Sequence, residues 1–365
     1  MALLGEGVVM SLQSPSNKIL QGFYKSLQGF GSAGSCFFIV SAFGETGNFL
    51  GINPSTAHTG RYPSTGIYDD IVYAVFSDKI YGISSIDGTQ YCVINFASDF
   101  PSSTLRSACV DSTGVYLFHD EAAGASPVVY TLKMTKYPLS GGTYISTNDY
   151  LVTDDTQTEW GTGEESPFIR KSLIYDGDAY ALLPKNRVAV FGLSSLSLTS
   201  TIALPDDSTQ SNSSSPALTN MARFDISDDK IYVTWRQGAT STSYKTKLTI
   251  SDMSGTLEYQ DYLIDRALDV SGFERGNEIT IHDGHMVLTG GSAVNKRSLS
   301  TKEIVCSASY SVDMRQLQPD LNPPSITLFI SDFHAAKSDG DFLYSCLAYS
   351  QTPTVYGTTI GKVTS

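Results

Sequence analysis

Apolar and polar positions alternate along most of this chain. Tyr, Val, Ile, Phe and Thr recur every second residue over runs of four to eight positions, and the runs are broken by Gly, Asp, Asn and Ser. A period of two bounded by turn formers predicts half-buried antiparallel strands. Helical spacing is confined to Asn17–Gln28 and Tyr262–Asp269, so the pattern predicts an all-β chain. Within it one phrase repeats: an apolar run, a tight turn of Ser, Asp or Gly, then a second run rich in Tyr, Phe and Val. It occurs at Ala74–Ile83, Cys109–Phe118, Leu173–Leu183, Phe224–Trp235, Ile279–Gly290 and Ala335–Leu347, with a degenerate copy at Gly29–Phe43. A hairpin cannot bury its face alone, so a repeated hairpin implies a stacked or radial array.

Seven copies over 365 residues give a mean period of roughly 50 residues, the length of a four-stranded unit. One closed domain over residues 1–365 therefore accounts for the chain. The copy around Ala74 predicts three inner strands, Ile71–Phe76, Lys79–Ser84 and Gln90–Phe96, with Asp87 and Gly88 in the second turn. Asp and Gly suit two-residue hairpin turns because those turns need positive φ. The last copy runs out after Thr354–Val363, one strand short. Gly7–Gln13 (GVVMSLQ) is the strand expected to fill the place and remove two open sheet edges. Two insertions interrupt the rhythm, 137–167 and 205–216. As loops they are the expected partner surfaces, because loops carry function while strands supply scaffold.

Charge narrows the partners. The chain has 24 Lys plus Arg against 37 Asp plus Glu, a formal net charge of −13, and no basic run. Nucleic-acid binding draws on clustered cations that displace counterions, so DNA, RNA and anionic membranes are not expected partners. No apolar stretch reaches the ~20 residues that span a bilayer. The five cysteines, Cys36, Cys92, Cys109, Cys306 and Cys346, are widely spaced, odd in number and mostly within apolar runs. They read as buried free thiols, and with no secretory signal at Met1 the expected site of synthesis is the cytoplasm.

Chemistry-bearing clusters are few. Asp154, Asp155, Glu159, Glu164 and Glu165 surround Trp160, but they lack the alternating order of a calcium loop and read as a solvated rim. His282 and His285 bracket Asp283 and Gly284, where other copies place turn residues, so their expected role is in the turn. His119, Asp120 and Glu121 end a strand and could supply an acid or base, yet no nucleophile stands at a matching spacing. Phosphate loops, dinucleotide fingerprints and nucleophile elbows are absent from the sequence. No catalytic, cofactor or metal residue is therefore assigned. Paired carboxylates for glycoside cleavage remain open, since they would come from distant repeats.

The strand, Asp-Gly-type turn and strand phrase resembles β-propeller repeats and covers most of the chain. It implies a seven-bladed propeller closed by an N-terminal strand, with six or eight blades or a β-sandwich array as alternatives. The Trp-Asp ending of WD repeats and the sialidase Asp box are missing, and a kelch-like double glycine occurs only at Gly290 and Gly291. The abundance of Ser and Thr, with Tyr 21 and Phe 17 against Trp 2, is similar to the β-rich structural proteins of tailed-phage particles. That resemblance implies a non-enzymatic structural or docking protein of a virion, in the tail or near the portal, whose partners are other proteins of the assembly, with a host glycan as a further candidate. The competing expectation is a propeller glycosidase or lyase, or a glycan-binding adhesin.

Overall fold

The computed structural model describes residues 34–35, 39–42, 65–75, 79–84, 90–123, 129–151, 171–183, 187–205, 223–237, 245–263, 278–282, 284–290, 293–309, 326–327, 336–337, 342–351 and 355–364. The chain begins with two short strands, β1 (Gly34–Ser35) and β2 (Ile39–Ala42). A first sheet follows in simple up-and-down order: β3 (Thr65–Tyr68), β4 (Ile71–Val75), β5 (Ile80–Ser84) and β6 (Gln90–Ile94). A single helical turn, α1 (Phe96–Asp99), leads to the second sheet: β7 (Ser103–Asp111), β8 (Gly114–Ala123), β9 (Val129–Tyr137) and β10 (Ser146–Leu151). The third has β11 (Ser172–Tyr175), β12 (Asp178–Leu183), β13 (Arg187–Gly192) and β14 (Leu198–Ala203). The fourth has β15 (Arg223–Ser227), β16 (Lys230–Gln237), β17 (Lys245–Asp252) and β18 (Leu257–Leu263).

The fifth sheet is built from β19 (Glu278–His282), β20 (His285–Gly290), β21 (Ala293–Ser298) and β22 (Ile304–Ser309), and β1 adds to β22 in parallel. In the sixth, β23 (Ile326–Thr327) and β24 (Ala336–Lys337) both pair with β25 (Phe342–Gln351), which pairs with β26 (Val355–Thr364). On the outer side of β26 lies β2, with Ile39 opposite Thr364 and Ala42 opposite Gly361. The chain is thus all-β, with six sheets among the described residues against the seven expected, because the described part of the degenerate seventh copy adds β1 and β2 to existing sheets. Leading strands neighbour one another in chain order: β3 with β7, β7 with β11, β15 with β19, and β19 with β24, while β24 also lies beside β3.

The core lies between sheets. Tyr73, Ile80 and Ile94 meet Leu105, Val115 and Leu117 across the first junction. Tyr116, Phe118 and Met134 meet Ala181 and Phe191 across the second, and Tyr180, Leu182 and Val190 meet Phe224, Ile231 and Val233 across the third. Tyr232, Leu248 and Ile250 meet Ile279, Met286 and Leu288 across the fourth. Alternate residues of a strand face opposite neighbours, so β8 buries Tyr116 and Phe118 toward one sheet and Val115 and Leu117 toward the other. This two-sided burial explains why these runs are nearly all apolar instead of strictly alternating.

The repeat is more regular in space than in sequence. Two residues before each first turn stands Ile67, Val110, Ile174, Ile226 or Ile281, and three after it Tyr73, Tyr116, Tyr180, Tyr232 or Val287, all five of the latter buried. The phrase read at Ala74–Ile83 is therefore one strand late. It falls on β4 and β5, the second and third strands, and the equivalent turn is Asp69–Asp70 between β3 and β4. Gln90–Phe96 is also corrected: the strand stops at Ile94 and Phe96 opens α1. Tyr262 and Leu263 are the end of β18, not the start of a helix, while 264–269 and 17–28 lie outside the described residues.

Of the degenerate copy at Gly29–Phe43, the described residues make β1 and β2, which extend the fifth and sixth sheets. The place beside β26 expected for Gly7–Gln13 holds β2 instead, and 7–13 lie outside the described residues. The insertion at 137–167 is shorter than expected on its N-terminal side, because Ser146–Leu151 pairs with β9 as a fourth strand. Residues 152–167 and 206–216 lie outside the described residues. No described helix is long and apolar enough to cross a membrane.

Candidate functional site

Near the leading strands, polar side chains link one sheet to another. Ser107 Oγ and Ser172 Oγ are 2.8 Å apart between β7 and β11. Asp225 on β15 accepts a bond from its neighbour Ile226 N (2.9 Å) and another from Ile281 N of β19 (2.6 Å). Lys171, just before β11, donates to the Ile279 carbonyl of β19 at 2.8 Å, reaching past the fourth sheet to the fifth. The bonds of Ser107, Ser172 and Asp225 satisfy buried polar groups, where an unmade hydrogen bond is costly, and Lys171 is partly buried.

The sequence candidate His119–Glu121 lies inside β8. Asp120 is buried and takes both Nε and Nη2 of Arg106, the latter at 2.8 Å. The two strands slip by one residue here: Leu105 faces His119 and Ser107 faces Phe118, so Arg106 is the extra residue of a β-bulge. The bulge gives Arg106 its own direction, onto the carboxylate. Glu121 pairs with Lys133 at 2.7 Å. His119 is fully buried, with Nε2 2.8 Å from Thr135 Oγ1, which in turn meets Thr147 Oγ1 at 2.8 Å. Its ring packs edge-on to Phe96 and tilts against Phe100, at 4.9 and 4.5 Å between centroids. Burial, assisted by the Lys133 charge, pulls its pKa down to about 3. At neutral pH it is an uncharged packing residue, and the acid or base suggested by its sequence neighbours is replaced by an ion pair and a stacked ring.

His282 and His285 face each other across the β19–β20 turn, the position expected for them, and no His, Cys, Asp and Glu cluster suited to a metal occurs among the described residues. Cys92 and Cys109 are buried free thiols; burial raises both, Cys109 to about 12. Cys36, Cys306 and Cys346, together with Asp154–Glu165 and Trp160, are not among the side chains described.

Two further arrangements recur, the first in turns whose Asp and Gly the sequence already marked and the second without any motif. The first turns gather aspartates at one end of the sheets. Asp69, Asp70, Asp176, Asp228 and Asp229 all have positive φ, between 47 and 59°, which suits a two-residue hairpin turn. In the second sheet Asp111 instead caps its turn, accepting Thr113 N at 2.7 Å. Tyr175 Oη donates to Asp229 Oδ1 at 2.9 Å and ties two of these turns together.

The second arrangement is a repeated seat between sheets. The turn joining the third and fourth strands of one sheet rests on the outer strand of the preceding one. A Cβ on Gly141 would lie 2.8 Å from Val93 O, and one on Gly255 2.1 Å from Ala203 O. Asn148 of β10 donates to Ser197 Oγ at 3.0 Å in the corresponding turn of the third sheet. Lys302 lies over the Tyr259 ring at 5.8 Å in that of the fifth. Gly141, Leu196, Gly255 and Lys302 all have positive φ. That shared backbone state, more than any shared residue, defines the seat, which is why no sequence motif marks it.

No protein-family model matches the sequence, and no curated protein sequence matches it. Among solved structures the chain is similar in fold to BamB from Moraxella catarrhalis, with 11% identity over 83% of this chain and 84% of that one, at a TM-score of 0.39. It is similar also to the WD40 β-propeller domain of Doa1 (11% identity, 84% and 93% covered, TM-score 0.42) and to the Neurospora crassa Pan2 WD40 domain (10%, 84% and 90%, 0.42). Likeness at this level carries no argument about activity or partners.

Proposed function

We propose that this chain is a non-enzymatic docking scaffold built as a β-propeller, with six sheets set around an axis and β2 of the N-terminal segment completing the sixth. The cyclic order of leading strands, with β24 beside both β19 and β3, supports the ring. The pairing of β2 with β26 supports closure. A sheet shared by the two ends of a ring joins them through main-chain bonds and leaves fewer open edges.

The observation that carries the functional reading is the fate of the inner polar groups. A propeller hydrolase needs carboxylates free to meet substrate, either ~5–5.5 Å or ~6.5–9.5 Å apart. Here Asp225 is held by two backbone N–H groups, Asp120 by Arg106, and Lys171 by a carbonyl of another sheet. These bonds tie sheets together, and a frame tied at its centre offers its outer surfaces to partners. Such a frame suits a component of a larger assembly. Composition, rich in Ser, Thr and Tyr and poor in Trp, supports placing that assembly in a virion tail or portal-proximal structure.

Fractionating the native source by size and density, with mass spectrometry of each fraction, tests this. The scaffold reading expects the chain at fixed stoichiometry in a particle far larger than its own 39.4 kDa. Recovery only as a free monomer overturns it and makes a carbohydrate substrate screen the next step.

A further inference from the structure

The edge of β19 that faces away from β20 is satisfied by side chains of two other sheets. In an antiparallel pair, residues opposite each other alternate between exchanging both main-chain bonds and exchanging none. The β19–β20 turn closes on His282 and His285. By that alternation Thr280 exchanges bonds with Val287, while Ile279 and Ile281 turn their N–H and C=O groups to the other edge. There Asp225 accepts the Ile281 N–H at 2.6 Å, and Lys171 donates to the Ile279 carbonyl at 2.8 Å.

Asp225 joins equivalent positions of the repeat. Ile226 and Ile281 each stand two residues before the first turn of their sheet. One oxygen of the Asp225 carboxylate accepts the Ile226 N–H at 2.9 Å and the other accepts that of Ile281. A single side chain therefore holds the same amide of two neighbouring leading strands. The corresponding residue is Gly66, Cys109, Leu173 or Thr280 in the other sheets, none of which offers a carboxylate. Lys171 adds a second grip. Successive side chains of a strand point apart: Ser172 meets Ser107 of the second sheet, and Lys171 extends to the fifth. On the way it passes the fourth sheet, so β11, β15 and β19 are joined by two side chains of opposite charge that meet one strand edge.

We propose that Lys171 and Asp225 act as one latch, which closes the centre of the ring at this level and locks the third, fourth and fifth sheets into a unit that opens as a whole. Hydrogen bonds to charged groups are stronger than neutral ones. Each of these draws β19 toward a different sheet, so the fifth sheet cannot leave the fourth while Lys171 holds it to the third. The closing of the centre rests on the ring reading and deepens it: a centre spanned by its own side chains leaves the ends and the rim for partners. The locking rests on the bonds themselves.

Native-state hydrogen exchange of the full chain in graded urea tests the latch. Amides of β12, β16 and β20 are expected to open along one common isotherm in the wild type. In Lys171→Met, which keeps the apolar stem and removes the ammonium, β20 leaves that isotherm. The Ile281 amide then exchanges about 10-fold faster, although an ammonium cannot accept its hydrogen. Asp225→Asn speeds Ile226 and Ile281 together, and adding Lys171→Met to it changes their exchange less than Lys171→Met does alone. Separate isotherms for the three strands in the wild type overturn the lock, an outcome that needs no variant to fold. An Ile281 amide indifferent to Lys171→Met, or effects of the two substitutions that multiply without interaction, overturns the joint action. Exchange is read on the isolated chain, so failure of the latch is distinct from failure of the docking reading, which recovery from a large particle decides.

Discussion

Asp120 and Asp225 are both buried aspartates, yet they are held in different ways. Asp120 is answered within its own sheet by the Arg106 guanidinium, which a β-bulge aims at it. Asp225 receives backbone N–H groups from its own strand and from the next sheet. The first arrangement fixes the geometry of one sheet; the second fixes one sheet against another. A buried charge can therefore serve either as a brace inside a unit or as a rivet between units, and the partner decides which.

The sharpest way to break the contrast is Arg106→Leu. It strands the Asp120 charge in the core and is expected to cost about 3–5 kcal/mol, read from urea unfolding. Replacing both partners with apolar residues should recover much of that loss, because the pair's own net contribution is small. Stability unchanged in the single variant would mean the carboxylate is not confined as described.

Acid distinguishes the same sheet by another route. His119 is neutral in the folded chain, with its pKa down at about 3, while an unfolded histidine titrates near 6.5. The unfolded state therefore binds the extra proton first. Stability is full above about pH 6.5 and falls by up to about 1.4 kcal/mol per pH unit until pH 3, where the loss levels off. His119→Gln should flatten this component between pH 6.5 and 4.5, measured as denaturant midpoints against pH. An equal slope in the variant would assign the acid sensitivity elsewhere.

Between the sheets the expected effects are smaller. Gly255→Ala places a methyl against the Ala203 carbonyl at a positive φ of 86° and should cost about 1–3 kcal/mol by the same unfolding assay. Asp225→Asn removes the charge but keeps an acceptor, a loss of about 1–2 kcal/mol. Hydrogen exchange sharpens this case: the Ile281 amide should exchange faster in Asp225→Asn and remain as in wild type in Arg106→Leu variants that still fold. Gly177→Asn should change stability by only a few tenths of a kcal/mol. The site has φ +82° with no atom near an added Cβ, a backbone state that Asn tolerates.

The strands were legible because short apolar runs rich in Tyr, Phe and Val, such as Val115–Phe118, are bounded by turn residues, here Asp111–Gly114, which favours a strand buried on both faces. Turn chemistry was equally legible at Asp176–Gly177 and Asp228–Asp229. The phase of the repeat was not, since the second hairpin of the first sheet, Ala74–Ile83, has the same apolar, turn and apolar chemistry as the first. Only the spacing from Ile67 to Tyr73, compared with Ile174 to Tyr180, separates them. The inter-sheet seats were hidden for a different reason. Gly141, Leu196, Gly255 and Lys302 share a backbone conformation and no side chain, and sequence records side chains. His119–Glu121 looked like chemistry because ionisable residues clustered, but what decides between catalysis and bracing is Arg106, brought opposite by a strand slip that no spacing in the sequence announces.

The pairing of β2 with β26 and of β1 with β22 also sets an order in time. The early segment leaves the ribosome long before its partners exist, and it must pass the making of every intervening sheet without finding a lasting edge. Pairing between such distant segments is slow because the loop entropy is lost before the contacts form. β2 cannot take its place until β26 has been made, and a chain halted before β26 would keep both an unclaimed strand and an unfinished sheet.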